Sequence, residues 1–183
     1  MNKDIIKKFE LAEKLLAEKK YEESIANFSE ILKTYPNFIP AIYNLGLCYE
    51  FSNQFEKAEL SYDKCHSLKP DEVRFINNLA TIYLKQSKFE QALPLLKKSL
   101  EISENQPIIV IYTLMCLVDL NKRKEAEKFG NEKLKTFSEH SELNKLHGKN
   151  LMNLGKHKEG LKYLKKATGF IELDSINANI ISD

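Results

Sequence analysis

The feature that most constrains this chain is a pattern that returns every 34 residues along almost its whole length. In each copy, a predicted turn is followed five positions later by a small residue. The turn residues are Lys19, Asn53, Ser87, Asn121 and Gly155, and the small residues are Ser24, Ala58, Ala92, Ala126 and Gly160. Agreement at both positions in five copies is improbable by chance, so the sequence predicts five helix-turn-helix units. These units cover residues 5–38, 39–72, 73–106, 107–140 and 141–174. Because one such hairpin cannot bury its apolar faces alone, each unit must stack on its neighbours.

Residues 41–70 carry the pattern in its fullest form. Leu45-Gly46 is followed by Tyr49, and then come Ala58, Tyr62 and Pro70. These spacings resemble the tetratricopeptide repeat, which reads L-G-x2-Y, then A-x3-F, then P. The resemblance implies an all-α fold, a right-handed α-α superhelix, with residues 1–174 as a single solenoid domain. Residues 175–183 are then a C-terminal tail, which either caps the last hairpin or begins a following domain.

Small and bulky residues are expected to alternate where the two helices of a unit meet, since positions four apart share one helix face. The small residues of the first helices are Ala12, Gly46, Ala80 and Gly148, and the bulky residues of the second helices are Phe28, Tyr62, Leu96 and Leu164. The fourth unit departs from this pattern, because Leu114 replaces the small residue and Gly130 replaces the bulky one. We expect this hairpin to pack less regularly, and Gly130 to weaken its helix by about 1 kcal/mol relative to alanine.

The family resemblance also implies where a partner would bind. In tetratricopeptide proteins the first helices line a concave groove that commonly holds an extended peptide or a partner helix. The matching positions here are Tyr43, Asn44, Leu47 and Glu50 in the second unit, Arg74, Asn77, Asn78 and Thr81 in the third, Ile111, Tyr112, Met115 and Val118 in the fourth, and Lys145, Lys149 and Met152 in the fifth. A second interpretation of Ile111, Met115 and Val118 is that they belong to the core between hairpins.

Asn44 and Asn78 occupy the same position in successive units. A side-chain amide both donates and accepts hydrogen bonds, so two of them suit a peptide backbone of any sequence. This pair is similar to the asparagine ladder of peptide-binding tetratricopeptide domains, although the other three units lack the asparagine. The alternative is that each asparagine only bonds a neighbouring turn.

The clamp that holds chaperone C-terminal tails in some family members is not matched. Its positions correspond here to Phe9, Glu13, Asn44, Arg74 and Asn78, of which only Asn44 agrees and Arg74 is a basic substitute. We therefore expect no tight binding of a chaperone tail.

The total charge argues against a nucleic-acid partner. The 28 basic and 26 acidic residues give a formal net charge of +2, and aromatic residues are not interleaved with the basic ones. Charge is nevertheless uneven, because residues 122–168 hold 13 basic and 6 acidic residues. This basic end either steers an acidic partner or only solvates outer helix faces.

No pattern indicates catalysis, a cofactor or a metal. The four histidines lack metal-ligand spacing, and His147 is expected to be structural. Cys48, Cys65 and Cys116 form no C-x-x-C motif, which favours reduced, buried thiols in a reducing compartment. The N-terminus does not read as a signal peptide, and no apolar run is long enough to cross a membrane, so a cytoplasmic location is expected.

These observations favour a non-enzymatic protein-interaction scaffold that binds a peptide or partner helix. Two alternatives stay open: the regulatory or substrate-docking part of a larger enzyme such as a transferase, and a self-assembling structural module. A homo-oligomer is compatible with the sequence, but nothing indicates one.

Overall fold

The computed structural model of the protein describes residues 3–168, and these residues form ten α-helices. They are α1 (Lys3–Ala17), α2 (Tyr21–Thr34), α3 (Ile39–Phe51), α4 (Phe55–Leu68), α5 (Val73–Lys85), α6 (Phe89–Ile102), α7 (Pro107–Asp119), α8 (Arg123–Lys133), α9 (Ser141–Asn153) and α10 (His157–Thr168). Consecutive helices pack as pairs, from α1 with α2 to α9 with α10. The five predicted helix-turn-helix units and the all-α fold class are thereby confirmed. The predicted tail, residues 175–183, lies outside the described residues.

The helices fall into two compact units. Unit 1 extends to Glu104 and contains α1–α6, and unit 2 begins at Asn105 and contains α7–α10. The suggestion that residues 1–174 form one solenoid domain stays a prediction. No helix within residues 3–168 combines the length and the apolarity needed to span a bilayer.

Each helix pair is closed by the same turn, at the residue that the sequence predicts. The backbone φ is positive at Lys19, Asn53, Ser87, Asn121 and Gly155, with values between 56° and 76°. The residue after each of these donates its N–H to the carbonyl five positions back, as in the bond from Lys20 to Leu15 (2.9 Å). This Schellman arrangement satisfies carbonyl groups that the end of the first helix leaves unpaired.

Within unit 1, the alternation of small and bulky residues brings the helices of a pair together. A Cβ added at Gly46 would lie 2.7 Å from the ring of Tyr62, so the glycine makes room for that ring. Phe28, Tyr62 and Leu96 are all fully buried, as expected for the bulky positions. The small residue Ser24 also anchors its pair, because its hydroxyl donates to the Ala12 carbonyl at 2.8 Å.

Neighbouring pairs of unit 1 are also joined by lysines that the sequence analysis did not single out. Lys64 Nζ donates to the carbonyl of Pro36 at 2.6 Å, and Lys98 Nζ donates to the carbonyl of Pro70 at 2.9 Å. Both lysines and both prolines are 34 residues apart, so one contact is repeated in successive units. Each lysine thereby satisfies a carbonyl in the loop that ends the preceding repeat.

Within unit 2, the irregular packing predicted for the fourth hairpin is confirmed and has a specific cause. Helix α8 contains 11 residues, whereas α2, α4 and α6 contain 14 each. Gly130 is not a gap in the core, because a Cβ there would lie 2.1 Å from Nδ1 of His147. His147 reaches over from α9 and is fully buried, which confirms its structural role. The bulky side chain at this level therefore comes from the following repeat.

Candidate functional site

The first helices of unit 1, α1, α3 and α5, form the surface that we call the first-helix face of unit 1. Asn44 Nδ2 on α3 donates to Oε1 of Glu13 on α1 at 3.1 Å. Asn78 Nδ2 on α5 donates to the hydroxyl oxygen of Tyr43 on α3 at 3.0 Å. Each asparagine therefore reaches from its own first helix to the first helix of the preceding repeat. Their partners are side chains of a neighbouring helix and not the backbone of a turn.

These bonds use only part of each side-chain amide. A carboxamide has two N–H donors and an oxygen acceptor, so one bond from Nδ2 leaves one N–H and the oxygen. Both asparagines are half-buried, which keeps them in contact with solvent. The amide orientation is also set in advance, because the preceding repeat holds the nitrogen of each group. Two oriented amides thus stand on the same face, one repeat apart.

Tyr43 lies between the two asparagines and is held from three directions. Besides the bond from Asn78, the guanidinium of the exposed Arg74 lies 5.1 Å from the ring centroid of Tyr43. The third contact is with Phe75, whose ring centroid lies 5.6 Å from that of Tyr43. A cation over an aromatic face is worth about 0.5–1 kcal/mol at an exposed site. Tyr43 and Arg74 therefore form an ordered aromatic and cationic pair beside Asn78.

Near the C-terminal end of α3, Glu50 makes a hydrogen bond and an ion pair with side chains of the following helices. The buried hydroxyl of Tyr62 donates to Glu50 Oε2 at 2.7 Å, and Lys85 Nζ lies 2.7 Å from Oε1. Burial raises the pKa of Tyr62, and the Glu50 carboxylate raises it further. Tyr62 consequently stays protonated and serves as a donor. Glu50 is held by an ion pair with Lys85 and a hydrogen bond from Tyr62, which makes it a structural element of this face.

The remaining predicted residues of unit 1 differ in availability. Asn77 Oδ1 accepts a bond of 2.6 Å from the hydroxyl of Ser99 on α6, so Asn77 is engaged inside its own repeat. Thr81 donates to the Asn77 carbonyl at 2.8 Å. Leu47 is half-buried on α3. Asn44, Asn78 and Arg74 are thus the polar groups of this face with the most capacity left for a ligand.

In unit 2 the predicted residues lie on α7 and α9, which contact each other. On α7, Tyr112 and Met115 are half-buried, and so are Ile111 and Val118. On α9, Lys145 and Lys149 are exposed. Lys145 lies 3.8 Å from Glu142 one turn earlier, a weak surface pair. Met152 is half-buried.

The three cysteine thiols lie in environments that are typical of structural and not of reactive thiols. Burial raises the pKa of the Cys65 thiol to about 11 and that of Cys116 to about 12, and it also raises the pKa of Cys48. All three cysteines are free and buried, as expected. Within residues 3–168, no group of three or more His, Cys, Asp or Glu side chains is placed to hold a metal ion.

The partners of these side chains were not predicted from the sequence. Glu13 stands out in the sequence only as a mismatch to the chaperone-tail clamp, and nothing singles out Lys85. A usable signal existed, because the bonded pairs are separated by 31 or 35 residues, close to one period of the repeat. Polar residues about 34 apart are therefore candidates for bonds between adjacent first helices.

Five antiparallel helix pairs with a 34-residue period, one shared turn and one shared small-residue position define the tetratricopeptide-repeat class. The chain is a tetratricopeptide-repeat protein. Residues 52–132 match the family described as "Anaphase-promoting complex, cyclosome, subunit 3".

Two curated proteins of Caenorhabditis elegans are similar in sequence. Tetratricopeptide repeat-containing protein trd-1 is 27% identical over 112 residues, which cover 61% of this chain and 14% of that protein. Stress-induced-phosphoprotein 1 is 34% identical over 59 residues, which cover 32% of this chain and 18% of that protein. The chain thus matches less than a fifth of the length of either relative.

Solved structures share the fold, among them MamA and YrrB. MamA from Desulfovibrio magneticus RS-1, from residue 41 to its end, superposes with a TM-score of 0.84 at 14% identity, covering 92% of this chain and 96% of MamA. YrrB, described as a tetratricopeptide protein with an unusual peptide-binding site, gives a TM-score of 0.80 at 20% identity, covering 94% of this chain and 89% of YrrB. At these identities the likeness establishes the fold alone.

Tetratricopeptide domains generally mediate protein–protein interactions. Protein trd-1, stress-induced-phosphoprotein 1 and YrrB are described as repeat, stress-induced or peptide-binding proteins. None of these three, nor MamA, is named as an enzyme. That this chain lacks catalytic activity and needs no cofactor stays a prediction.

Proposed function

We propose that the first-helix face of unit 1 binds an extended peptide of a partner protein. Asn44 and Asn78 contact the peptide backbone, while Tyr43, Leu47 and Arg74 contact its side chains. The observation that carries this proposal is the pair of oriented amides, each held by the preceding repeat and each with an N–H and an oxygen to spare. YrrB is described as binding a peptide on the same fold, which is consistent with this use.

The geometry favours an extended peptide because the amides belong to successive repeats. A carboxamide that offers one N–H and one oxygen can pair with both polar groups of a peptide unit. Two such contacts on neighbouring first helices hold two points along a chain and leave its side chains free to vary. Arg74 beside Tyr43 then adds a preference for an acidic or aromatic side chain at one point.

Asn77 supports this site by positioning α5 against α6, since its Oδ1 accepts a bond from Ser99. Thr81 supports it within α5, where its hydroxyl donates to the Asn77 carbonyl. In unit 2 we assign the equivalent role to the face formed by α7 and α9. Its contacts are then Tyr112 and Met115 on α7 together with Lys145 and Lys149 on α9. Because the buried thiols are free, we also propose a reducing compartment such as the cytoplasm.

The test begins with selection of peptides from a random phage-displayed library against the whole chain. Selected peptides are synthesised and their affinities are measured by isothermal titration calorimetry. The double variant Asn44→Ala/Asn78→Ala should bind about tenfold or more weakly, since each lost hydrogen bond contributes about 0.5–1.5 kcal/mol.

A matched control removes two asparagines of unit 1 that lie away from the first helices, Asn27→Ala and Asn37→Ala. Asn27 lies on α2 and bonds only its own helix backbone, at Glu23. The control variant should bind the selected peptides as the unsubstituted protein does. Circular dichroism checks that both variants stay folded. Equal affinity of the Asn44/Asn78 variant and the control would overturn the proposed site.

A further inference from the structure

Unit 2 contains a cavity of about 240 Å³ whose wall is rich in lysine. Lys135 approaches it from the segment after α8, and Lys162 and Lys166 approach it from α10. The other polar residues of the wall are Asn131, Ser138, Asn144 and Tyr163. We call this cavity the lysine cleft. It lies on different helices from the first-helix face of unit 1, so its role does not depend on the function proposed above.

The lysine cleft already shows how its groups hold a carboxylate. Lys166 Nζ lies 2.8 Å from Oε1 of Glu139, and the hydroxyl of Ser138 donates to the same oxygen at 3.0 Å. The hydrogen bond from Lys166 lowers the pKa of Glu139, with smaller contributions from Ser138 and from the lysine charge. A carboxylate is therefore accepted at this edge of the cleft. Glu139 itself is largely exposed, so another carboxylate can replace it.

Within residues 3–168, the positive charge of the cleft exceeds the negative charge that is placed to neutralise it. Glu139 pairs with Lys166, whereas Lys135 and Lys162 form no ion pair within residues 3–168. Both are exposed lysines that reach the same cavity. Two uncompensated cations beside a third attract an acidic partner and raise its association rate.

Asn144 on the cleft wall adds a hydrogen-bond acceptor, its Oδ1, which an anion without N–H or O–H groups cannot use. Its Nδ2 donates to the carbonyls of Ser138 and His140, at 2.7 Å and 3.0 Å, so both N–H groups are occupied. Its Oδ1 is buried and has no partner among the described residues. An unpaired buried acceptor favours a ligand that brings a hydrogen-bond donor. A peptide backbone supplies an N–H, whereas a phosphodiester supplies no donor.

We propose that the lysine cleft binds an acidic segment of a partner protein. One or two carboxylates lie among Lys135, Lys162 and Lys166, and a backbone N–H of the segment donates to Asn144 Oδ1. Lysines suit this task because an ammonium can donate to a carboxylate that approaches from many directions, whereas bidentate phosphate recognition relies on the planar fork of arginine. The wall of the cavity contains no arginine.

The experiment uses the whole chain and a fluorescein-labelled peptide of alternating glutamate and glycine. Binding is measured by fluorescence anisotropy at increasing salt. The peptide should bind at low salt and weaken as salt rises, whereas a peptide with glutamine in place of glutamate should not bind. Lys135→Ala/Lys162→Ala should reduce the affinity about tenfold, because two partly exposed ion pairs are lost.

The matched control is Lys124→Ala/Lys158→Ala, which removes the same charge from α8 and α10 outside the lysine cleft. Lys124 and Lys158 are exposed, and neither lines the cleft. This control should bind the glutamate peptide with nearly unchanged affinity. If both double variants weaken binding equally, the peptide senses only the general charge of unit 2 and the proposal is overturned.

Glu139 supplies a test in the opposite direction. Glu139→Gln removes the carboxylate that competes for Lys166, so the glutamate peptide should bind several-fold more tightly. Glu142→Gln changes the net charge equally but removes a carboxylate that pairs with Lys145 and does not line the cleft. An equal gain from both variants would contradict the proposal, and so would displacement of the peptide by inorganic phosphate at equal concentration.

Discussion

The substitution Gly130→Ala tests whether unit 2 takes its bulky side chain from the following repeat. An added Cβ would lie 2.1 Å from Nδ1 and 2.7 Å from Cε1 of His147. The ring has little freedom to move away, because Nε2 lies at hydrogen-bond distance, 3.0 Å, from Oδ1 of Asn131 and the ring of Tyr163 packs against it edge to face, with the ring centroids 4.7 Å apart. The new methyl group must therefore displace a buried ring that is held on two sides.

Three contributions set the magnitude. Alanine improves the helix by about 1 kcal/mol relative to glycine. Overpacking of a buried site destabilises by about 1–3 kcal/mol, and loss of the bond to Asn131 costs about 1 kcal/mol more. The packing contributions exceed the helix propensity, so we expect Gly130→Ala to lower the free energy of unfolding by about 1–3 kcal/mol. Urea unfolding followed by far-ultraviolet circular dichroism measures this change.

A double-mutant cycle with His147→Ala tests whether the effect of Gly130→Ala on stability changes sign when the ring is removed. Once the ring is absent, the methyl group at position 130 enters empty space, and Gly130→Ala should stabilise by about 1 kcal/mol. As a control, Gly155→Ala adds a Cβ that meets no neighbouring atom but forces alanine into a backbone φ of +76°. Because this strain does not involve the His147 ring, Gly155→Ala should destabilise the protein equally with and without that ring. If Gly130→Ala stabilises the protein while His147 is present, the interpretation of Gly130 as the space for this ring is wrong.

Three further outcomes are expected. Burial lowers the pKa of His147 from its usual 6.5, so the unfolded chain takes up a proton first as pH falls. The free energy of unfolding should therefore decrease below about pH 6.5, by at most about 1.4 kcal/mol per pH unit, and His147→Gln should remove this part of the dependence in urea titrations at several pH values. Tyr62→Phe should destabilise by about 2 kcal/mol, because Glu50 loses a charge-assisted bond of 2.7 Å; chemical unfolding checks this, and an unchanged midpoint would contradict it. A chaperone C-terminal tail should not bind at micromolar concentration in calorimetry, because the Glu13 carboxylate already takes one N–H of Asn44 and repels a terminal carboxylate.

Much of the fold was predictable from local and periodic features. A residue with positive φ must follow the first helix of every hairpin, so turn positions repeat at fixed intervals and Asn53 and Gly155 mark them directly. Small residues such as Ala58 recur because two helices approach closely at the same level of each pair. Both constraints act within one hairpin, which is why the period, the helix pairs and the class of protein could be read from the residues alone.

The candidate site was predictable only as a set of positions. The repeat assigns Asn44 and Asn78 to the same position of successive first helices, but it does not say which neighbour takes up each amide. Glu13 and Tyr43 became the partners because they lie across the interface between first helices, 31 and 35 residues earlier. Asn77, adjacent to Asn78, turned out to be bonded to α6 instead.

The sequence by itself determined the 34-residue period, the five turns and the helix face on which each residue lies, because those properties follow from backbone geometry and local spacing. Only the tertiary structure decided that His147 fills the space above Gly130 and that Lys135 meets Lys162 and Lys166 around one cavity. The physical reason is that side chains from different helices meet according to helix length and loop path. In the fourth repeat α8, with 11 residues, departs from the 14-residue length that α2, α4 and α6 share.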